Sequence, residues 1–299
     1  MSVGGSGARK VILFVNLHKA NARDARDEIR GRLEEGGDEV TEFAFDGRPA
    51  SFPAGAWDIA FSLGGDGTVL YTARMLASSG TPILPVHLGT LGFLSTVEMG
   101  EWREVYDRWR AGGARLSRRC MFDVSVKRGG ALVLSSTCLN DAVVSSLGIA
   151  KLIRLGVRME IAPGEHADLG RYRADGLVVA TPTGSTAYSM AAGGPIVDPE
   201  MEARIVSPIC PFSLSNRPLV LPSRNPLLVT VEREQRSGVL LTVDGQDAFP
   251  LEEGDEIAVR HSAGSALLVT PAGDAYHSAL RWKLAWQGGG AMESGGNDA

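Results

Sequence analysis

The feature that most limits how this chain can fold is a change in the period of its apolar residues near position 115. Before that point, short apolar runs alternate with longer amphipathic stretches. Val11 to Val15 is a run of strand length, and Asn21 to Glu35 is a charged amphipathic helix that Gly36-Gly37 stops. Val40 to Phe45 reads as a second strand, Ile59 to Leu63 leads through a glycine turn into a helix from Thr68 to Ala77, and Pro82 to His87 is a further strand. Strands separated by helices predict a parallel sheet with crossover helices. Beyond the change the apolar positions alternate: Phe122, Val124, Val126, then Val157, Met159, Ile161, then Leu227, Val229, Val231, then Ile257, Val259. Period-two segments broken by Gly, Pro and Asp predict antiparallel strands with one buried face.

The expected architecture is an α/β N-terminal domain with a parallel-type sheet over residues 10–114, followed by a mostly antiparallel β C-terminal domain over 115–275. The apolar stretch 276–286 is expected to return onto the first domain. Residues 1–9 and 287–299, rich in Gly and polar residues, are expected to be flexible tails.

Composition removes several classes of function. A formal net charge of -5 argues against a general nucleic-acid surface, which carries a basic excess. No apolar run is long enough to span a bilayer, and the first residues lack the apolar core of a secretion signal, so no membrane partner and a cytoplasmic location are expected. The three cysteines, Cys120, Cys138 and Cys210, are odd in number and form no Cys-x-x-Cys pair, which excludes a disulfide framework and a zinc site. The five histidines have no metal-ligand spacing either, so no metal ligand is assigned to the protein.

Two segments carry chemistry. Leu63-Gly64-Gly65-Asp66-Gly67-Thr68 joins an apolar strand to a helix. Its glycines let the backbone turn sharply and approach a phosphate, and the amides at the helix start offer an anion site. A strand-to-helix turn with Asp66 capping the helix accounts for the same residues equally well. The lysine of a phosphate-binding P-loop is absent, and so is the Gly-x-Gly-x-x-Gly dinucleotide pattern. The second segment runs from Arg173-Ala174-Asp175-Gly176-Leu177 through Thr181-Pro182-Thr183-Gly184-Ser185-Thr186-Ala187-Tyr188-Ser189 to Gly193-Gly194-Pro195. A strand there enters a dense set of small hydroxyl residues that can bind ribose and pyrophosphate oxygens, and Tyr188 adds an aromatic face. Ser185 has no identifiable His or acid partner and is no hydrolase nucleophile.

With these segments the chain resembles the NAD kinase family. The resemblance is carried by Gly64-Gly65-Asp66-Gly67-Thr68, Leu139-Asn140-Asp141, the Asp175 to Ser189 block and Asp244-Gly245-Gln246. His87-Leu88-Gly89-Thr90-Leu91-Gly92-Phe93-Leu94 and Ser207-Pro208-Ile209-Cys210-Pro211 with Asn216-Arg217-Pro218 add support, and order and spacing match from residue 10 to 286. The glycine motif alone is shared with lipid kinases and resembles phosphofructokinases; the long block is specific.

The resemblance implies the two-domain architecture of NAD kinases and diacylglycerol kinases, and transfer of the terminal phosphoryl group of ATP or polyphosphate to the adenosine ribose 2′-hydroxyl of NAD. It implies that Asp66 is the proton acceptor and that Gly64, Gly65, Gly67 and Thr68 face the phosphate donor. It places Asp66, Gly67, Asn140, Asp141, Lys151, Arg173, Asp175, Thr186, Ala187, Tyr188, Ser189, Met190, Ala191 and Gln246 in the NAD pocket. Asp141 is shorter than the glutamate more familiar there. A divalent ion, Mg2+, is implied as a cofactor bound mainly through phosphates, and self-association to a homodimer or homotetramer is implied with it. Two other classes account for parts of the sequence: a lipid or sugar kinase leaves the long block unexplained, and a non-catalytic NAD sensor leaves Asp66 facing phosphate without purpose.

Overall fold

The computed structural model describes residues 7–46, 52–148, 151–213, 215–273 and 275–284. The positions expected to be flexible therefore lie outside the described residues, apart from 7–9, where Arg9 N–H donates to Asp38 Oδ1.

The parallel half comprises β1 (Lys10–Asn16), α1 (Ala22–Glu35), β2 (Glu39–Phe45), β3 (Ile59–Gly64), α2 (Asp66–Leu76), β4 (Ile83–His87) and α3 (Trp102–Arg110). Its strands pair in parallel in the order β2-β1-β3-β4. The continuous apolar run of β1 is explained by cover on both faces, as parallel strands require. Val11, Leu13 and Val15 face α1 and α3, whereas Ile12 and Phe14 face α2, so successive side chains feed two cores. The helix expected from Thr68 begins at Asp66, because Gly65 is its N-cap and Thr68 Oγ1 reaches back to the Gly65 amide.

The β-rich half comprises β5 (Arg115–Arg128), β6 (Ala131–Cys138), β7 (Asp141–Ser146), β8 (Ile153–Ala162), β9 (Glu165–Ala174), β10 (Gly176–Ala180), a 3-10 turn (Thr183–Thr186), α4 (Tyr188–Ala191), β11 (Ala203–Ile209), β12 (Leu219–Pro222), β13 (Leu227–Val231), β14 (Val239–Val243), β15 (Asp247–Leu251) and β16 (Glu256–Thr270). Helix α5 (Ala275–Lys283) follows. One antiparallel sheet runs β12-β11-β10-β7-β14-β15. It packs face to face on a second layer made of β5, β6, β16, β13, β8 and β9, and the inward residues Phe122, Val124, Leu155, Val157, Leu177, Val179, Val229, Leu241 and Ile257 form the core between them.

Strand β16 joins the halves. It pairs antiparallel with β13 and β5, and at Leu268 it pairs in parallel with Ile83 of β4. Its register against β5 shifts between His261 and Ser265. Inside this irregularity Gly264 lies so close to the end of α2 that a Cβ would overlap the Ala77 carbonyl. Since α2 carries Asp66 at its other end, this contact sets the seating of the functional helix. Gly264→Ala is expected to destabilise the protein by about 1–3 kcal/mol, the usual cost of overpacking. Denaturant unfolding measures this, and an unchanged midpoint would show that the contact is not limiting.

Candidate active site

The site is assembled where α2 begins. Asp66 does not cap its own helix; instead its carboxylate turns to the loop after β4. Oδ1 accepts from the amides of Leu94 (3.1 Å) and Ser95 (2.8 Å) and from Ser95 Oγ (2.7 Å), while Oδ2 accepts only from the Phe93 amide (2.9 Å). Oδ1 is thus fully engaged and Oδ2 keeps a free acceptor direction. The cradle closes tightly: a Cβ at Gly92 would overlap the Asp66 carboxylate and Ser95 Oγ. Gly64 O accepts from the Leu88 amide (2.8 Å), tying the glycine turn to the same loop.

A second carboxylate organises the facing wall. Asp244, at φ 51° in the turn between β14 and β15, is followed by Gly245 at φ 63°, the backbone that an Asp-Gly hairpin turn adopts. Its carboxylate accepts from the amides of Leu139 (2.9 Å), Asn140 (2.7 Å) and Asp141 (3.1 Å). Gln246, in the same turn, donates from Nε2 to Gly67 O (2.8 Å). Arg74 of α2 donates to Gln246 Oε1 (3.2 Å) and Ser136 Oγ (3.3 Å) and pairs with Asp247. Asp66, Gly67, Gln246, Asn140 and Asp141 are thereby brought into one bonded network.

Asp141 is buried beside Asp244. Burial and then the Asp244 charge push its carboxyl up to about 7. Burial also raises Asp244, but the three amides oppose the rise. The charge therefore resides on Asp244, where the amides solvate it, and Asp141 carries the proton near neutrality.

The hydroxyl-rich block is used differently from the expectation that it presents a row of free hydroxyls. Thr181 Oγ1 donates to Leu139 O (2.5 Å), Ser185 Oγ to Val197 O (3.1 Å) and Thr186 Oγ1 to Thr183 O (3.3 Å), and Ser189 Oγ pairs with Ser207 Oγ (3.2 Å). Buried hydroxyls must be satisfied, and here the fold satisfies them internally. Thr183 Oγ1 is buried without a partner among the described residues. On α4, Tyr188 (47% exposed) and Ala191 face outward, Ala187 and Met190 are half-buried, and Ser189 is buried. The Asn140 side chain is half-buried, with its backbone amide on Asp244 and its carbonyl accepting from Thr181 N–H (2.8 Å).

Lys151, Arg173 and Asp175 are not part of this network. Lys151 and Arg173 are exposed, and the Arg173 guanidinium lies 4.9 Å over the Phe212 ring; no ion pair joins it to Asp175 among the described residues. Ala180 of β10 pairs with Asp141, and Gly176 at the strand's other end pairs with Ser145. At the strand rise of about 3.3 Å per residue, Asp175 is about 16 Å from the Asn140–Asp141 corner. An open cavity of about 730 Å³ lies between the start of α1 and the segment after β4, lined by Asn21, Asp24, Glu28, His87, Gly89 and Glu98. Residue typing did not single out the Phe93–Ser95 amides or Arg74, and it gave Asp244 no role beyond its place in the Asp244-Gly245-Gln246 motif.

A carboxylate held open at a glycine turn, between an α/β half and a β-rich half, defines a two-domain phosphotransferase. The ATP-NAD kinase N-terminal domain model matches residues 47–114, and the ATP-NAD kinase C-terminal domain model matches 139–270. An NAD kinase of Treponema denticola is 39% identical over 94% of this chain and 97% of its own. An NAD kinase of Desulforamulus reducens is 43% identical over 76% of this chain and 77% of its own. A yeast NADH kinase crystallised with NADH superposes with a TM-score of 0.78 at 25% identity, covering 96% of this chain and 90% of that one. An Archaeoglobus fulgidus NAD kinase in complex with ATP shares the fold, with a TM-score of 0.68. The chain belongs to the NAD kinase family.

In the unfolded chain Asp141 ionises near the ordinary aspartate value of 3.8, so between there and about 7 the folded state holds a proton that the unfolded state has released. The contribution of this group to stability therefore falls as pH rises through that window. Asp141→Asn removes the titration, and its Tm is expected to gain on wild type progressively between about pH 4 and about pH 7. Parallel Tm–pH curves for the two proteins would contradict the shifted pKa.

Proposed function

We infer that this chain is an NAD kinase that transfers the terminal phosphoryl group of ATP to the adenosine ribose 2′-hydroxyl of NAD, giving NADP. The observation that carries the mechanism is the free acceptor direction on Asp66 Oδ2 beside the glycine turn. In this reading the ribose hydroxyl donates its hydrogen bond to Oδ2, and Asp66 takes the proton as the new O–P bond forms. Phosphoryl transfer passes through a loose transition state, so placing the hydroxyl matters more than removing its proton early. A carboxylate fixed by four donors is suited to that placement.

NAD lies along the seam, with Gly67, Asn140, Asp141, Thr186 to Ala191 and Gln246 against its adenosine side and Tyr188 covering a ring. Because the block's hydroxyls are mostly engaged internally, backbone groups and the Asn140 carboxamide make the polar contacts. The donor phosphates meet Gly64, Gly65, Gly67 and Thr68, where the amides at the start of α2 attract anions. The carboxylates of Asp24, Glu28 and Glu98 line the neighbouring cavity and direct the phosphate end toward the turn. No cluster of three or more His, Cys, Asp or Glu side chains suited to a metal is present among the described residues. In this reading Mg2+ would be held mainly by the donor phosphates and would neutralise their charge.

Lys151, Arg173 and Asp175 do not join the network that holds Asn140 and Asp141, and Asp175 stands about 16 Å from that corner of its own chain. This spacing supports a homodimer or homotetramer in which they complete the pocket of a neighbouring copy. No helix among the described residues is long and apolar enough to cross a membrane, and we place the reaction in the cytoplasm.

The deciding experiment supplies purified protein with NAD, Mg2+ and either ATP or polyphosphate, with Asp66→Asn run alongside. NADP is expected from the wild type, and Asp66→Asn is expected to bind NAD almost normally yet lose at least about 100-fold in kcat, the lower range for removing a general base. NAD binding without NADP from either donor would replace the enzyme with a non-catalytic sensor. Tyr188→Ala is expected to raise Kd for NAD by about three- to tenfold, the worth of one aromatic contact; an unchanged Kd in calorimetry would remove Tyr188 from the pocket.

A further inference from the structure

We propose that α5 holds the reactive carboxylate in register through Lys283, which makes Lys283 a positioning residue for phosphoryl transfer; the proposal rests on the reading of Asp66 given above. The link is a single residue long. Oδ2, the oxygen left open for the substrate, has the Phe93 amide as its one donor at 2.9 Å. The ring of that same Phe93 is faced by Lys283 Nζ, 4.7 Å from its centroid. Lys283 is exposed and makes no ion pair among the described residues, so its ammonium group is spent on the aromatic face.

The helix that carries Lys283 is anchored on the opposite half of the molecule. Ala279 and Leu280 are buried, and the Tyr276 ring lies under the Arg119 guanidinium of β5 at 5.8 Å. Tyr276 Oη donates to Val197 O at 3.5 Å. Val197 is the residue whose carbonyl and amide both pair with Ser185 Oγ in the hydroxyl-rich block. One short helix thus touches the wall expected to hold NAD at one end and the loop that holds Asp66 at the other. Without the Lys283 contact the Phe93 ring loses its cover, the Phe93 amide gains freedom, and Oδ2 samples positions away from the ribose hydroxyl. Misplacement of this kind lowers the rate of the chemical step more than it weakens binding.

The test is steady-state kinetics on the full chain carrying Lys283→Met, Lys283→Arg, Phe93→Leu and the Lys283→Met/Phe93→Leu pair, with Tm measured for each. Lys283→Met is expected to lower kcat roughly three- to tenfold, in keeping with a cation over an aromatic ring. KM for NAD and Tm should stay near wild type, and Lys283→Arg, which keeps the cation, should restore kcat. In the Phe93→Leu background the Lys283→Met change should have no further effect, since the partner ring is gone. Wild-type kcat in Lys283→Met, alongside a nearly inactive Asp66→Asn, would overturn the positioning role while leaving the function intact. A loss that persists undiminished in the Phe93→Leu background, or that comes with a lowered Tm and no rescue by Arg, would likewise assign Lys283 to general stability. Wild-type turnover by Asp66→Asn would overturn the reading of Asp66 and the proposal with it.

Discussion

Everything at the active site depends on a strand that belongs to both halves. The 15 residues of β16 hydrogen-bond to β13 and β5 in the β-rich half and reach β4 in the parallel half. The halves are therefore joined by ladder hydrogen bonds as well as by chain connections. A flexible linker would leave their relative position to weak surface contacts. Here the loop after β4, which supplies the Asp66 cradle, follows a strand bonded into the layer against which the sheet supplying Asn140, Asp141 and Gln246 packs.

Within that frame the protein uses two ways of burying a carboxylate. Asp38 and Asp255 are structural: each is almost fully buried and paired with an arginine, Arg110 at 3.1 Å and Arg128 at 2.8 Å. Asp66 and Asp244 are held by backbone amides instead. The difference is chemical. A guanidinium fork occupies both oxygens and cancels the charge, whereas amides orient a carboxylate, leave it anionic and can leave one oxygen open. Asp244 spends this device on ordering the turn into β7, and Asp66 spends it on an open Oδ2. Burial first, and the charge of Asp244 after it, raise the carboxyl of Asp141.

Local order was readable from residue pattern. The run Val11 to Val15 reads as a strand and is one, and the amphipathic stretch Asn21 to Glu35 reads as a helix stopped by Gly36 and forms one. The site was readable as residue identity but not as wiring. Asp66 fits a helix cap by local rules, yet its partners lie 27 to 29 positions away in the chain, and nothing in the glycine turn names them. The hydroxyl-rich block invited a reading as a set of free donors because residue type does not disclose satisfaction. Ser189 meets Ser207 and Ser185 meets Val197 only after the chain has folded back. Arg74 carried no signal at all, since one exposed-looking arginine on a helix resembles any other.

The bond from Gln246 to Gly67 O, reinforced by Arg74 bridging Gln246 and Asp247, ties the turn between β14 and β15 to the start of α2. It clips the wall that carries Asn140 and Asp141 to the residue directly after Asp66. While it holds, Gly67 and the turn whose Asp244 orders Asn140 and Asp141 stay one hydrogen bond apart.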